Sequence, residues 1–351
     1  MKPSNKKIQI FSLAIFFAAV IFFLFFLIHI QRPNESGSRG KKSENHEQLI
    51  LGFSQIGSES AWRTRNTQSI FEAAEQNGIQ ILFDDAQQKQ ENQLKAIRSF
   101  IVYQVDVIAF VPIVEYGWDN VLREAKEAGI PVIVVDRQIR ADESLYAGFL
   151  GEDGLEEGRS AAQFLLDKYQ EETKPVLIFE MSGTKNSSVV RERASGFREK
   201  ITGFPKFQII HSVDGDFLRS RGKEIGEKLI QASIDSDTFK NDGLYYNGRK
   251  IDVVYSHNDS MTLGLLDSLE NYEIDPSEIT IISVDAEQKS IDALVEGKID
   301  CVVECNPNLG PMLMELVKQV AGGNEIPRFT YNTGKVFTQD DDFSLYTPRG
   351  Y

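Results

Sequence analysis

Apolar positions in this chain follow two alternating rhythms. From residue 49 onward, short apolar runs rich in Val and Ile alternate with longer stretches whose apolar residues recur every three or four positions. The short runs read as strands and the longer stretches as amphipathic helices. A first set predicts strands at 49–53, 79–83, 105–111, 132–135 and 146–150, with helices at 61–77, 88–103 and 118–128. The rhythm then restarts. A second set predicts helices at 154–169, 187–201, 217–232, 260–269, 289–296 and 309–321. Its strands fall at 175–181, 207–213, 251–256, 279–284 and 299–304, and the tail at 329–337 is strand-like. Residues 233–250, with Asn247-Gly248, read as an insertion or hairpin.

The run Val132-Ile133-Val134-Val135 is apolar at every position, so the strand it forms is buried on both faces. Such strands belong inside parallel sheets covered by helices, joined by right-handed crossovers. The expected fold class is therefore α/β, with two Rossmann-like lobes and a cleft between them. Asp136 and Arg137 end that run, where open α/β sheets bind ligands. On this stretch alone, a ligand-binding pair and a mutual ion pair stand equal.

Residues 8–30 are almost wholly apolar. Twenty-three residues at ~1.5 Å each cross a ~30 Å hydrocarbon core. Lys2, Lys6 and Lys7 precede this stretch and no small-residue cleavage site closes it, so it reads as an uncleaved signal anchor rather than a removed signal peptide. With the start of the chain it occupies residues 1–31 as one transmembrane helix, and the polar stretch 32–48 is a flexible tether.

The formal net charge of −14 argues against nucleic acid or an anionic membrane surface as the main partner. The two cysteines, Cys301 and Cys305, lie four residues apart on a strand. That spans roughly 13 Å, too far for a disulfide, so both read as free and buried. With four histidines and no metal-ligand spacing, no metal and no cofactor is expected.

Several strand ends carry polar side chains. The first leads into Ser60, Trp62 and Arg63 at a helix start. Arg191 and Arg193 stand in the first turns of a helix, where positive charge opposes the dipole. Asn258 is placed to bond a ligand, with Asp259 or Ser260 as the cap of the helix that follows. Asp285 ends another strand, as ligand group or cap. Carboxylates, arginines, an amide and an indole together suit a sugar, whose hydroxyls take charge-assisted bonds and whose C–H face lies on an aromatic ring. No nucleophile motif or phosphate loop occurs. Strand-end carboxylates beside arginine are expected to stay ionised, which disfavours a general acid, so no catalysis is expected.

The strings GFSQIGSESAWR, DAQQKQENQLKAIRSFI, EAGIPVIVVDRQI, VDGDFLRSRGKE and YSHNDSMTLG resemble the ribose/galactose-type periplasmic sugar-binding proteins, and among them the galactofuranose binders of ABC transporters. The resemblance runs from about residue 49 to Tyr351. It implies two lobes joined by a three-segment hinge, 49–151 with 306–333 and 152–305 with 334–351, closing on a monosaccharide. It implies ligand-binding roles for Ser60, Trp62, Arg63, Asp136, Arg137, Arg193, Asn258, Asp285 and Cys305, with Arg191 structural. Cys305 and Val111 stand where ribose binders carry amides, which argues against ribose. Alanine at Trp62 or Arg137 is expected to remove most sugar affinity and leave the fold intact. The resemblance further implies a monomer on the cell membrane, its binding domain outside the cytoplasm, delivering sugar to an ABC permease. The alternative is a sensory subunit reporting to a membrane histidine kinase or chemoreceptor. Cytoplasmic repressors of this fold need a DNA-binding helix pair where this chain carries the apolar segment.

Overall fold

The computed structural model describes residues 48–236, 242–343 and 348–351. The apolar segment 8–30 and the tether lie outside the described residues. Among the described residues no helix is long and apolar enough to cross a membrane.

The first half is built on strands β1 (Ile50–Gln55), β2 (Gln80–Asp85), β3 (Val107–Phe110), β4 (Val132–Val135) and β5 (Gly148–Glu152). Helices α1 (Ala61–Gln76), α2 (Gln90–Val102) and α3 (Asp119–Glu127) connect them. The second half carries α4 (Gly154–Lys168), β6 (Val176–Ser182), α5 (Ser188–Ile201), β7 (Phe207–Asp214), α6 (Arg219–Asp235) and the hairpin β8 (Tyr245–Tyr246) to β9 (Arg249–Lys250). It continues through β10 (Val253–Ser256), α7 (Asp259–Asn271), β11 (Thr280–Asp285), α8 (Gln288–Val295) and β12 (Cys301–Glu304). Helix α9 (Gly310–Ala321) and strands β13 (Phe329–Asn332) and β14 (Val336–Thr338) follow.

One sheet runs β13-β5-β4-β3-β1-β2, parallel throughout. The other runs β14-β12-β11-β10-β6-β7 and is parallel except at one edge, where β14 pairs antiparallel with β12. Among the described residues the chain passes between the sheets three times, at 152–154, 304–310 and 332–336. Backbone and carboxylate bonds hold these passages together. Asn306 N donates to Glu152 Oε1 at 3.2 Å and Lys335 N to Glu304 Oε2 at 3.0 Å.

Every residue of β3, β4, β10, β11 and β12 is buried, as expected of strands covered on both faces. Separate apolar clusters fill the two faces of each sheet. Helices α4 and α5 meet backbone to backbone through glycine. A Cβ on Gly158 would stand 2.2 Å from Arg193 O, and one on Gly196 2.0 Å from Leu155 O. That contact sets the depth of α5, and with it the position of Arg193.

One local expectation is corrected and another is met. Helix α6 starts at Arg219 rather than at 217, because Asp216 and Phe217 adopt left-handed backbone with φ of 55° and 60°. The segment 233–250 does contain a hairpin, turned by Asn247 and Gly248, both at positive φ.

Candidate functional site

The C-terminal ends of the parallel strands in both sheets face one cleft. Between them lies a cavity of about 300 Å³ of unfilled space, counting the part open to solvent. Its lining contains Ser60, Trp62, Arg63, Asp136, Arg137, Arg193, Asn258, Asp285 and Cys305, so all nine candidates from the sequence stand together. Glu59, Val189 and Phe217 complete it and were not singled out. Glu59 sits inside the same SESAWR string as three of the candidates. Phe217 carries only its left-handed backbone as a signal, which the sequence does not display.

The first half supplies a buried four-membered ion network. Ser60 caps α1, its hydroxyl accepting from Arg63 N at 3.0 Å. The cap fixes the helix start, so Trp62 and Arg63 project from its first turn. Arg63 Nη2 donates to Asp136 Oδ2 at 2.6 Å and to Glu59 Oε1 at 3.2 Å. Arg137 Nη2 donates to Glu59 Oε1 at 2.7 Å. Burial works against the Arg63 charge, but Asp136 and Glu59 more than offset it and raise its pKa. Arg137 goes the other way: burial lowers its pKa, and the Arg63 charge adds to that against the pull of Glu59. Asp136 holds φ 63°, a left-handed conformation that side chains beyond Gly rarely take. The Asp136–Arg137 pair is ion-paired, with Arg137 Nε 3.8 Å from Asp136 Oδ2, and both side chains line the cavity.

In the second half, Arg193 Nε donates to Glu157 Oε2 at 2.8 Å and Nη1 donates to His257 O. Its Nη2 stands 3.7 Å from Asp285 Oδ1. Asn258 is itself the cap of α7, correcting the expectation of Asp259 or Ser260. Its Oδ1 accepts from Met261 N at 3.0 Å and its Nδ2 donates to Phe217 O at 3.2 Å. One N–H of that amide and one lone pair remain available. Asp285 caps no helix. It ends β11 at φ 124° and faces the cavity.

The expected ionisation of both strand-end carboxylates is overturned at Asp285. Burial pushes its pKa well above the usual range, and the negative neighbours Asp259, Glu287 and Glu157 add to this against the pull of Arg193. Asp259 and Glu287 are raised as well, first by burial. Burial and mutual repulsion thus favour the protonated form within this acidic cluster, and a protonated carboxyl donates as well as accepts.

Trp62 links the halves. Its indole sits among Val284, Val303 and Cys305 of the second half and is 4% exposed. Nε1 donates to Cys305 O at 2.6 Å, and its backbone N–H donates to Glu287 Oε1 at 3.2 Å. The Arg63 guanidinium lies over the ring, 4.6 Å from its centroid. Cys305 thus meets Trp62 through its backbone carbonyl, while burial raises its thiol pKa well above the ordinary value. Both cysteines are free and buried. Arg191 does not line the cavity. It pairs with Glu115 and Glu192. Val111 lies in the core of the first half.

Three polar atoms of the lining residues are buried without a hydrogen-bond partner: Glu59 Oε2, Arg63 Nη1 and Arg137 Nη1. Buried polar groups are normally satisfied. One acceptor and two donors, in a lining of three arginines and three acids, suit a small, uncharged, hydroxyl-rich molecule. Among the described residues no group of three or more His, Cys, Asp or Glu is placed to hold a metal ion.

Residues 51–325 match the family described as the periplasmic binding protein domain. The chain is 37% identical over 295 residues to the galactofuranose-binding protein YtfQ of Escherichia coli, covering 83% of this chain and 88% of that protein. A Mycobacterium smegmatis structure in complex with β-D-fucofuranose aligns with a TM-score of 0.76 at 43% identity, over 83% of this chain and 91% of that one. The binding component of the arabinose ABC transporter of Shewanella sp. ANA-3, bound to α- and β-L-arabinofuranose, aligns with a TM-score of 0.76 at 39% identity, over 83% and 92%. By name the Escherichia coli relative is a sugar-binding protein and the Shewanella one the binding component of an ABC transporter, neither an enzyme. Two sheets with a cleft at their strand ends, and a match over this much of the sequence, show that the chain belongs to the periplasmic binding protein family.

Proposed function

We propose that this protein binds a monosaccharide in its furanose form and delivers it to an ABC importer. The observation that carries the reading is the cavity itself, where side chains from both halves converge and one acceptor and two donors of the first half, Glu59 Oε2, Arg63 Nη1 and Arg137 Nη1, are buried without partners of their own. Furanose rings in two relatives at 39% identity or better support the ring form. The halves open to admit the sugar. Closure removes water from the bonds made by Arg63, Asp136, Arg137, Arg193, Asn258 and Asp285 and strengthens them. The indole of Trp62 covers a C–H face of the ring. The segment 8–30 tethers the domain outside the cytoplasm as a single-pass anchor. The domain works as a monomer, since one chain holds the whole cavity.

A calorimetric panel of L-arabinose, D-galactose, D-fucose, D-ribose, D-xylose and D-fructose tests this on the full-length protein in detergent. A selective hit at micromolar affinity or better supports the reading. Galactose keeps only a small furanose fraction in solution, so its apparent affinity is reduced by that fraction. No binding of any sugar would refute the ligand assignment. A sensory role remains the second reading, favoured by the apolar 8–30 segment, which tethers a reporter as readily as a transporter component. Loss of sugar uptake on gene deletion supports transport; retained uptake with lost sugar-dependent kinase output supports sensing.

A further inference from the structure

The string DAQQKQENQ at 85–93 is the most distinctive of the first half, yet none of its side chains lines the cavity. Its amides are directed to two loops. Gln93, fully buried, donates from Nε2 to Val111 O at 2.6 Å and accepts at Oε1 from Ile113 N at 3.1 Å. Gln90 Nε2 donates to Tyr116 O at 2.6 Å, and Asn92 Nδ2 to Ala86 O at 3.0 Å. Trp118 Nε1 holds the same loop from its far end, donating to Val114 O at 2.7 Å. A side-chain amide that satisfies both a backbone donor and a backbone acceptor holds a loop as a strand partner would.

The loop so held carries Glu115, 4% exposed. Its Oε1 accepts from Arg191 Nε at 3.0 Å and Nη2 at 2.9 Å, and Arg191 belongs to α5 of the other half. Glu115 N donates to Asn186 O at 3.1 Å. Arg140, from the same half as Glu115, approaches the same oxygen at 3.4 Å. Nearby, Gln138 N donates to Ser188 Oγ at 2.7 Å. Loops of the first half therefore grip the start of α5 directly across the cleft, and neither Glu115 nor Arg191 lines the cavity.

We propose that Glu115 is a positioning residue that latches the closed form through Arg191, with the glutamine-rich string as the frame that keeps it poised. The inference rests on the sugar-binding reading above. Bonds made only when the halves meet stabilise the closed state alone, so they lengthen ligand residence without touching the ligand.

The test is a mutant cycle in the full-length protein: wild type, Glu115→Gln, Arg191→Gln and the double variant. Stopped-flow tryptophan fluorescence follows D-galactose and L-arabinose as probes. Each single variant is expected to raise koff about fivefold while changing kon less than about twofold. The double variant is expected to match the singles within about twofold, because one interaction is lost in all three. Unchanged koff in both singles, or effects that multiply in the double, overturns the latch. Reversing the pair, Glu115→Arg with Arg191→Glu, is expected to restore koff to within about threefold, which a merely structural Glu115 would not allow. A wild type that binds neither sugar defeats the ligand reading instead. The latch is then decided without ligand on transient closing: disulfide trapping of Gln138→Cys with Ser188→Cys, positions joined across the halves by a 2.7 Å bond, is expected to be about fivefold slower in Arg191→Gln, and an unchanged rate overturns it.

Discussion

Replacing Trp62 by Phe separates one bond from the rest of the cleft. A smaller aromatic ring keeps its place in the cluster with Val284, Val303 and Cys305, while the indole N–H is lost together with the rest of the five-membered ring. That N–H donates to Cys305 O at 2.6 Å, across 243 positions of sequence. With Phe in place the carbonyl is buried without a partner whenever the halves are closed, at a cost of about 1–3 kcal/mol. In the open form water satisfies it, so the whole cost falls on the closed form. A ligand that binds through closure should therefore bind about 5- to 150-fold more weakly. Titration calorimetry with the best sugar of the panel measures this, alongside thermal unfolding of the ligand-free protein, which should change little. A Kd within about twofold of wild type would refute the reasoning, because the bond would then be worth the same in both forms. Trp62→Ala, by contrast, removes the ring as well and should lose more affinity and some stability, about 3–5 kcal/mol in all.

The remaining predictions concern the ion network, the hinge and the helix contact behind Arg193. Arg137→Ala removes one of the two arginines that hold the buried Glu59 carboxylate, and the shorter bond of the two, since the pair is 2% and 3% exposed and bonded at 2.7 Å. Breaking a buried pair costs about 3–5 kcal/mol. The fold should thus be weakened along with affinity, not left intact as the sequence suggested, and an unchanged melting temperature would show Arg63 alone sufficient. Glu152 lies at the first passage between the sheets, and burial followed by the Glu157 charge raises its pKa from 4.5 to about 8. The folded state keeps that proton where the unfolded chain has lost it. Its contribution to stability is therefore full below pH 4.5 and is lost as pH rises toward about 8. Urea unfolding between pH 5 and 8 should show a shallower decline in Glu152→Gln; an equal slope would assign the decline to other groups. Gly158→Ala forces α5 away from α4, because the new Cβ meets Arg193 O at 2.2 Å. Overpacking costs about 1–3 kcal/mol. Sugar affinity should fall although the residue lies outside the cavity, and unchanged affinity would mean that Arg193 adjusts independently of its helix.

The sequence by itself determined the α/β alternation and the doubly buried strands, and with the family resemblance it named nine of the twelve residues that line the cleft. These depend on short-range pattern: β-branched runs, helical periodicity, and polar residues placed just after strands. The nine site candidates could be read because each stands at a strand end or in a helix's first turns. Only the tertiary structure decided how they are used. Trp62 meets Cys305 through a backbone carbonyl, and Glu59 bonds two arginines, one of them 78 positions away. Phe217 enters the lining through a left-handed backbone that helical periodicity disguised. The antiparallel edge strand β14 finds β12 only after the chain's third passage between the sheets. Asp285 is pushed toward its neutral form because burial among Asp259, Glu287 and Glu157 outweighs Arg193, a balance set by what surrounds the carboxyl in space. Local pattern fixes which residues reach the cleft. Burial and long-range pairing fix their partners and protonation, because desolvation and Coulomb interactions depend on distance in space and not along the chain.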